Sequence, residues 1–268
     1  MGKIIAVANQ KGGVGKSTTV VSLAAYFGMR GFKVLCVDTD SQGNTTTGLG
    51  ISKKSLSCSC YDVLTGNARI QDAIMETEFQ NISLVPAVSA LAGAELDLVE
   101  LDNRLQRIKA ALMTCRTSYD YIFLDCPPSL SLVTLNNLVA ADTVLIPMQA
   151  EYLAMEGLAQ LNETIRIVRS KYNAGLKVEG ILFTMFDPRL NLSLQVVEEV
   201  KKYFPNQVFE TKIPRNVRLS EAPSYGKPVF YYDRSSKGAE AYEMVAHEML
   251  GEPREPDRKP KKFIFSRK

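Results

Sequence analysis

The sequence predicts an α/β fold: a doubly wound, mostly parallel β-sheet with helices on both faces. Three observations carry that expectation. Continuous apolar runs recur at residues 4–8, 33–38, 121–125, 143–148 and 178–185, the pattern of strands buried on both faces. Between them lie stretches of helical spacing, as crossovers between parallel strands require. Two of the runs end in aspartate, Asp38 and Asp125, and in open α/β sheets ligands gather at the carboxyl ends of strands.

The first run feeds Gln10-Lys11-Gly12-Gly13-Val14-Gly15-Lys16-Ser17-Thr18, after which Val20, Leu23, Ala24 and Phe27 repeat at helical spacing. A helix is predicted from Ser17 to about Tyr26, with Gly28 and Gly31 helping to end it. A strand, a glycine turn and a helix start in that order make an anion site. Glycines let several backbone N–H groups point inward, and the helix dipole adds about half a positive charge. In such a phosphate loop Lys16 reaches the β- and γ-phosphates and the Ser17 hydroxyl ligates Mg²⁺. The usual formula has glycine where this chain has Gln10, and the extra Lys11 departs from it.

Further along, the run at 33–38 leads into Thr39-Asp40-Ser41-Gln42-Gly43-Asn44. Asp38 and Asp40 are both expected to face the phosphates. Residues 51–80 are polar and weakly patterned, with one short helix expected at 61–64. A strand is predicted at 82–86, then a helical stretch from Ala90 to about Cys115, with Leu91, Leu96, Leu98, Leu101, Leu105 and Leu112 available to pack. The strand at 121–125 ends in Asp125 and breaks at Pro127-Pro128; behind a phosphate loop, such an aspartate holds Mg²⁺ through water. A strand at 143–148, a helix at 154–172, a strand at 178–185 and a helix at 192–203 follow. An extended piece ends at Ile213-Pro214-Arg215-Asn216, and a helix at 235–250 closes the domain. Residues 251–256 read as a linker and 261–268 as disordered. The expected organisation is one nucleotide-binding domain over residues 1–250 and a basic tail over 251–268.

Composition narrows the chemistry. With 268 residues, 46% of them hydrophobic, the chain has ample core for one medium-large domain. No apolar run reaches membrane-spanning length, and the charged start Met1-Gly2-Lys3 is not read as a signal peptide. Five cysteines without metal-ligand spacing read as reduced, mostly buried thiols. The lone His247 falls in a helical pattern, which argues against histidine-based catalysis or a histidine metal site. The net charge of +3 is uneven. Residues 258–268 hold six basic side chains and no acid, and residues 212–237 hold six Lys/Arg against Glu221 and Asp233. Charge runs are by default solvated surface, but basic islands beside a nucleotide switch also suit a polyanion.

The phosphate loop with its additional lysine resembles the deviant Walker A motif of the ParA/MinD superfamily, a SIMIBI-like branch of the P-loop NTPases. The segment Val37-Asp38-Thr39-Asp40-Ser41-Gln42-Gly43-Asn44 is similar to that family's switch I, although the family usually has Pro where this chain has Ser41, which puts the loop's stiffness in question. Leu124-Asp125-Cys126-Pro127-Pro128 resembles Walker B with switch II. The block Ile213-Pro214-Arg215-Asn216-Val217-Arg218-Leu219-Ser220-Glu221-Ala222-Pro223 brings the likeness closest to the ParA/Soj-type partitioning ATPases. It extends from Lys3 to about Leu250.

The resemblance implies ATP and Mg²⁺ as cofactors and slow hydrolysis, with Lys11, Lys16 and Asp40 as catalytic residues. Asp40 would position the attacking water, and Lys11 would reach the nucleotide of a facing subunit. It implies nucleotide contacts from residues 11–18 (Gly12, Gly13, Val14, Gly15, Ser17 and Thr18 with the two lysines), Asp38, and Pro214 and Asn216 near base and ribose. Ser17 and Asp125 would hold the metal, Asp125 through water. An ATP-driven homodimer would bind double-stranded DNA non-specifically through Arg189 and Arg218 first, then Lys201, Lys202, Arg215, Lys227 and Lys237. A ParB-type centromere-binding protein would control turnover, placing the protein in the cytoplasm on the nucleoid. The competing class is a MinD-like or cargo-positioning ATPase at a membrane or polar scaffold, without DNA. Against membrane attachment, the tail offers only Phe263, Ile264 and Phe265 beside a proline, too little for a stable interfacial helix.

Overall fold

The computed structural model describes residues 1–252. Most of the tail expected over 251–268, including its basic run and part of the 251–256 linker, lies outside the described residues.

Seven strands form one sheet: β1 (Lys3–Val7), β2 (Val34–Asp38), β3 (Met75–Glu76), β4 (Ile82–Val85), β5 (Tyr121–Asp125), β6 (Thr143–Gln149) and β7 (Lys177–Thr184). Their order is β3-β4-β2-β5-β1-β6-β7. Every pairing is parallel except that of β3 with β4, so the expected doubly wound sheet is present with one short antiparallel edge. Each central strand is apolar on both faces because each face meets helices. Ile4, Ala6, Leu35, Val37, Ile122 and Leu124 enter one core, whereas Ile5, Val7, Val34, Cys36 and Phe123 enter the other. This period-2 division of a continuous apolar run is what a strand buried on both faces produces.

The first helix, α1 (Lys16–Met29), and the closing helix Lys237–Leu250 cover the second face. The helices Leu132–Ala140, Ala154–Lys171 and Asn191–Tyr203, with the short pieces between residues 60 and 113, cover the first. Helix α1 runs beyond the expected Tyr26. Gly31, at φ 93°, ends it, and Gly28 lies inside it. A Cβ on Gly28 would stand 2.2 Å from the Gln80 carbonyl oxygen, so this glycine serves a close approach of backbones.

The stretch from Ala90 to Cys115 is broken rather than continuous. Helix Ala94–Val99 and helix Arg107–Met113 are separated by a turn containing Asn103 at φ 54°. Leu98 and Leu112 are both fully buried, while Leu96, expected to pack, is 78% exposed. The second helix is started from outside: the Asn136 side chain accepts from Arg107 N at 3.0 Å and donates to the Arg104 carbonyl at 2.6 Å. Helix Leu132–Ala140 escapes the sequence pattern because LVTLNNLVA mixes β-branched residues with two asparagines, all weak helix formers. Its Asn136 and Asn137 are fully buried. Four of the five cysteines are buried and Cys58 is half-buried, all with free thiols. No described helix is long and apolar enough to cross a membrane.

Beyond β7, residues 207–214 run alongside the sheet edge. Phe209 N donates to the Ile181 carbonyl at 3.0 Å, Ile213 N to that of Phe183 at 2.8 Å, and Phe186 N to that of Ile213 at 2.9 Å. This brings the Pro214 segment to the carboxyl edge, beside the loop after β7.

Candidate active site

A cleft of about 550 Å³ opens at the carboxyl edge over β1, with the phosphate loop as its floor. Gly12, Gly13, Gly15, Lys16, Ser17 and Thr18 line it, together with Asp40 on one side and Pro214, Arg215 and Asn216 on the other. Gly13 and Gly15 have φ of 72° and 85°, the left-handed turns that aim successive N–H groups inward. Val14 is buried beneath, and the Thr184 hydroxyl donates to its carbonyl at 2.8 Å. The loop is pinned at its entrance too. Asn9 Nδ2 donates to the Pro147 carbonyl at 2.8 Å, and Asn9 Oδ1 accepts from Lys11 N at 2.9 Å.

The two lysines of the loop lie apart. Lys16 is 6% exposed, and its ammonium donates to the Lys11 carbonyl at 3.2 Å. Burial pushes its pKa down, against the opposing pull of Asp125 and Asp40. Lys11, by contrast, is exposed and pairs with Glu151, outside the cleft.

Asp38 and Asp125 are register partners on adjacent strands and are fully buried. Burial, together with the other carboxylate, pushes the Asp38 pKa up; burial is also the main cause of the upward shift at Asp125, opposed by the neighbouring Ser17 and Thr45 hydroxyls and by the charge of Lys16. Asp38, expected to face the phosphates, has its oxygens engaged by neighbouring residues of its own loop. Its Oδ2 accepts from Thr46 N and from the Thr46 hydroxyl, both at 2.7 Å, and Oδ1 from Asp40 N at 3.3 Å. Asp38 therefore ties helix Asn44–Gly48 to the end of β2; like Asp125, it is fully buried and does not line the cleft. Asp125 keeps one oxygen in reserve. Oδ2 accepts from the Thr45 hydroxyl at 2.8 Å, whereas Oδ1 is buried and has no hydrogen-bond partner.

Asp40, 6% exposed, accepts from Gln42 N at 3.0 Å. That Asx turn, and the donation of Lys53 Nζ to the Gln42 carbonyl at 2.5 Å, constrain the loop where the usual proline is replaced by Ser41. Burial pushes the Cys126 thiol up to about 12, so it stays protonated. Sequence reasoning missed Asn9, Thr45, Thr184 and Asn137. The first stands next to the motif, but the other three become neighbours only through strand order.

The seven basic residues expected at DNA differ in their surroundings. Arg215 and Lys227 line the cleft. Arg189 pairs with Asp187 at 2.6 Å, Lys202 with Glu199 at 2.7 Å, and Lys201 with Glu198 at 3.5 Å. Arg218 meets Glu221 at 2.9 Å and Asp233 at 3.2 Å. Lys237 begins the closing helix. Asn216 caps helix Val217–Glu221, accepting from Arg218 N at 3.0 Å.

A parallel sheet with a phosphate loop at its first βα turn and two aspartates on neighbouring strand ends defines the class, a P-loop ATPase fold. Comparison with known proteins narrows it. A family profile described as an AAA domain matches residues 2–178. The sporulation initiation inhibitor protein Soj of Bacillus subtilis is 53% identical over 249 residues, 93% of this chain and 98% of that protein. The chromosome partitioning protein ParA of Myxococcus xanthus is 50% identical over 261 residues, 97% and 92% of the two chains. A crystal structure of cobyrinic acid a,c-diamide synthase from Mycobacterium smegmatis, with bound ATP analog and magnesium, matches with a TM-score of 0.82 at 37% identity, covering 93% of this chain and 95% of that one. The chain belongs to the ParA/Soj family of chromosome-partitioning ATPases.

Proposed function

We propose that the protein is an ATP-dependent dimerising switch that binds DNA non-specifically and partitions a chromosome or plasmid, with slow Mg-ATP hydrolysis resetting it. The observation that carries the Mg-ATP part of this reading is the buried, unpartnered Oδ1 of Asp125, beside the hydroxyl of Ser17, which lines the cleft. Leaving such an oxygen unpaired costs about 1–3 kcal/mol, and a hydrated cation removes that cost. The donor set, one hydroxyl and one carboxylate, suits Mg²⁺, which is held by few protein oxygens plus phosphate and water. Mg²⁺ would supply charge neutralisation at the phosphates.

The chain's own residues do the remainder. Backbone N–H groups of residues 12–17 and the start of α1 bind the phosphates, and the buried Lys16 ammonium neutralises charge there. Asp40, held by its Asx turn at the rim, orients the attacking water. With no histidine in the cleft, catalysis rests on positioning and electrostatics. The Lys11 ammonium pairs with Glu151 outside the cleft, an exposed contact that it would exchange for the nucleotide of a facing copy. A two-fold dimer closing over the cleft then makes nucleotide part of the interface. Doubling a weak basic surface by dimerisation makes DNA binding useful through effective concentration. A ParB-type partner would raise turnover by stabilising the loops that carry Asp40 and Asp125, and the protein would reside in the cytoplasm on the nucleoid.

The test is retention of random duplex DNA across a salt series with Mg-ATP or Mg-ADP. The reading expects retention with ATP only, with log affinity falling by about 0.9 per neutralised phosphate for each log unit of salt. Equal retention with both nucleotides, or none, would favour the scaffold-positioning class.

A further inference from the structure

Resting on the hydrolytic reading above, we propose that Asn137 is a positioning residue that locks the loops carrying Asp40 and Asp125 into one register. Asn137 lies in helix Leu132–Ala140 and is fully buried. Its Nδ2 donates to Thr39 Oγ1 at 2.7 Å and to Cys126 Sγ at 3.3 Å. Thr39 stands between Asp38 and Asp40, and Cys126 follows Asp125. One amide group therefore holds both elements that a γ-phosphate must find ordered.

The direction of these bonds follows from their partners. Thr39 Oγ1 gives its own proton to the Asp125 carbonyl at 2.6 Å, the oxygen that also accepts from Thr39 N at 3.1 Å. The Cys126 thiol directs its proton to the Leu124 carbonyl at 3.8 Å. Both groups can then only accept from Asn137, and only a donor with two hydrogens serves both. The bridge leaves Asn137 Oδ1 buried without a partner. A leucine would keep the branching and heavy-atom count with no unpaired oxygen, so side-chain shape alone does not call for an asparagine here. What asparagine adds is the bridge from this helix to the ends of β2 and β5.

Among the described residues, the side-chain hydrogen bonds of Asn137 go to these strand ends and not to the phosphate loop. Loss of the bridge should therefore spare nucleotide affinity and slow turnover. It should also loosen both loops in the nucleotide-free protein, because the bridge forms without ligand.

The experiment compares Asn137→Leu, Thr39→Val and the double variant in the full-length protein. It reads kcat and KM for Mg-ATP, ADP affinity, and hydrogen exchange of segments 38–44 and 125–131 without nucleotide. Each single variant should lower kcat roughly tenfold with KM within about twofold. The double variant should lose less than the product of the two single losses, since both remove the Asn137–Thr39 bond, although Thr39→Val also removes the hydroxyl's bond to the Asp125 carbonyl. Exchange should rise in both segments, and Thr39→Ser, which keeps the hydroxyl, should restore parental kcat and exchange. A folded Asn137→Leu with parental kcat and exchange would overturn the assignment, as would losses that multiply in the double variant. Should Asn137→Leu not fold, Asn137→Ala, which leaves the Thr39–Asp125 bond in place, decides by the same exchange readout. If the parent protein hydrolyses no ATP, the hydrolytic reading fails, while exchange in the nucleotide-free variants still decides whether Asn137 orders the loops.

Discussion

At the ends of β2 and β5, Asp38 and Asp125 are fully buried and bound into a network of Thr39, Thr45, Thr46 and Asn137. Beside β7, at the same edge of the sheet, Arg189 and Arg218 lie on the surface, each paired with a carboxylate of its own chain. The first region is preorganised: its polar groups are placed by strands buried on both faces and need little further ordering when a ligand arrives. The second is adaptable, because exposed ion pairs are worth only about 0–1 kcal/mol and can be exchanged for another anion. Chemistry that depends on tenths of an ångström suits the first, and the proposed sequence-independent attraction to a polyanion suits the second.

The sharpest way to break this contrast is to exchange the two regions' phenotypes. Asp40→Ala should keep ATP binding yet lower turnover by about a hundredfold or more, measured as phosphate release beside nucleotide affinity. Undiminished turnover would remove Asp40 from the mechanism.

The buried pair also predicts a pH dependence. Both carboxyls bind protons more tightly folded than unfolded. Nucleotide-free stability should therefore fall as pH rises from about 4 towards neutrality, by at most about 1.4 kcal/mol per pH unit for each excess proton bound. Asp125→Asn should flatten that slope in a series of thermal melts; an unchanged slope would mean that the pair does not control it.

Gly28→Ala tests the frame under the buried region. Alanine ordinarily stabilises a helix by about 1 kcal/mol over glycine, but here its Cβ would meet the Gln80 carbonyl at 2.2 Å. A net loss of about 1–3 kcal/mol is expected from overpacking. Gly157, in helix Ala154–Lys171 with open space around it, should show the opposite sign in the same denaturant titration.

For the adaptable region, Arg218→Glu should weaken DNA retention about tenfold and lower the salt slope by about 0.9 for each phosphate that is no longer neutralised, with kcat close to parental. A loss of dimerisation in that variant would place Arg218 at the subunit interface instead of at DNA.

The sequence and the structure agree best where a short motif carries its own geometry. The glycines at 13 and 15, Lys16, and aspartates ending apolar strands could be placed without coordinates, because strand, turn and helix follow one another along the chain. At Asp38 the same rule found the strand end, but it could not show that one carboxylate oxygen would be engaged by Thr46, eight residues on. The break between residues 99 and 107 was not legible because its cap, Asn136, comes from a helix some thirty residues later. Asn137 carries no local signal at all, since its partners Thr39 and Cys126 meet it only once β2 and β5 are paired. The ion pairs of Arg189, Lys201, Lys202 and Arg218 are short-range, yet a positive count along the chain says nothing of which charges are already balanced.

The central claim is that nucleotide joins two copies of this chain across the cleft, with Lys11 leaving Glu151 to act on the facing copy. Light scattering of Asp40→Ala at micromolar protein with Mg-ATP tests it most directly. The account predicts twice the monomer mass with ATP, the monomer mass with ADP, and the monomer mass with ATP once Lys11→Ala is added. Monomer mass for Asp40→Ala with saturating ATP, or a dimer indifferent to Lys11, would contradict it.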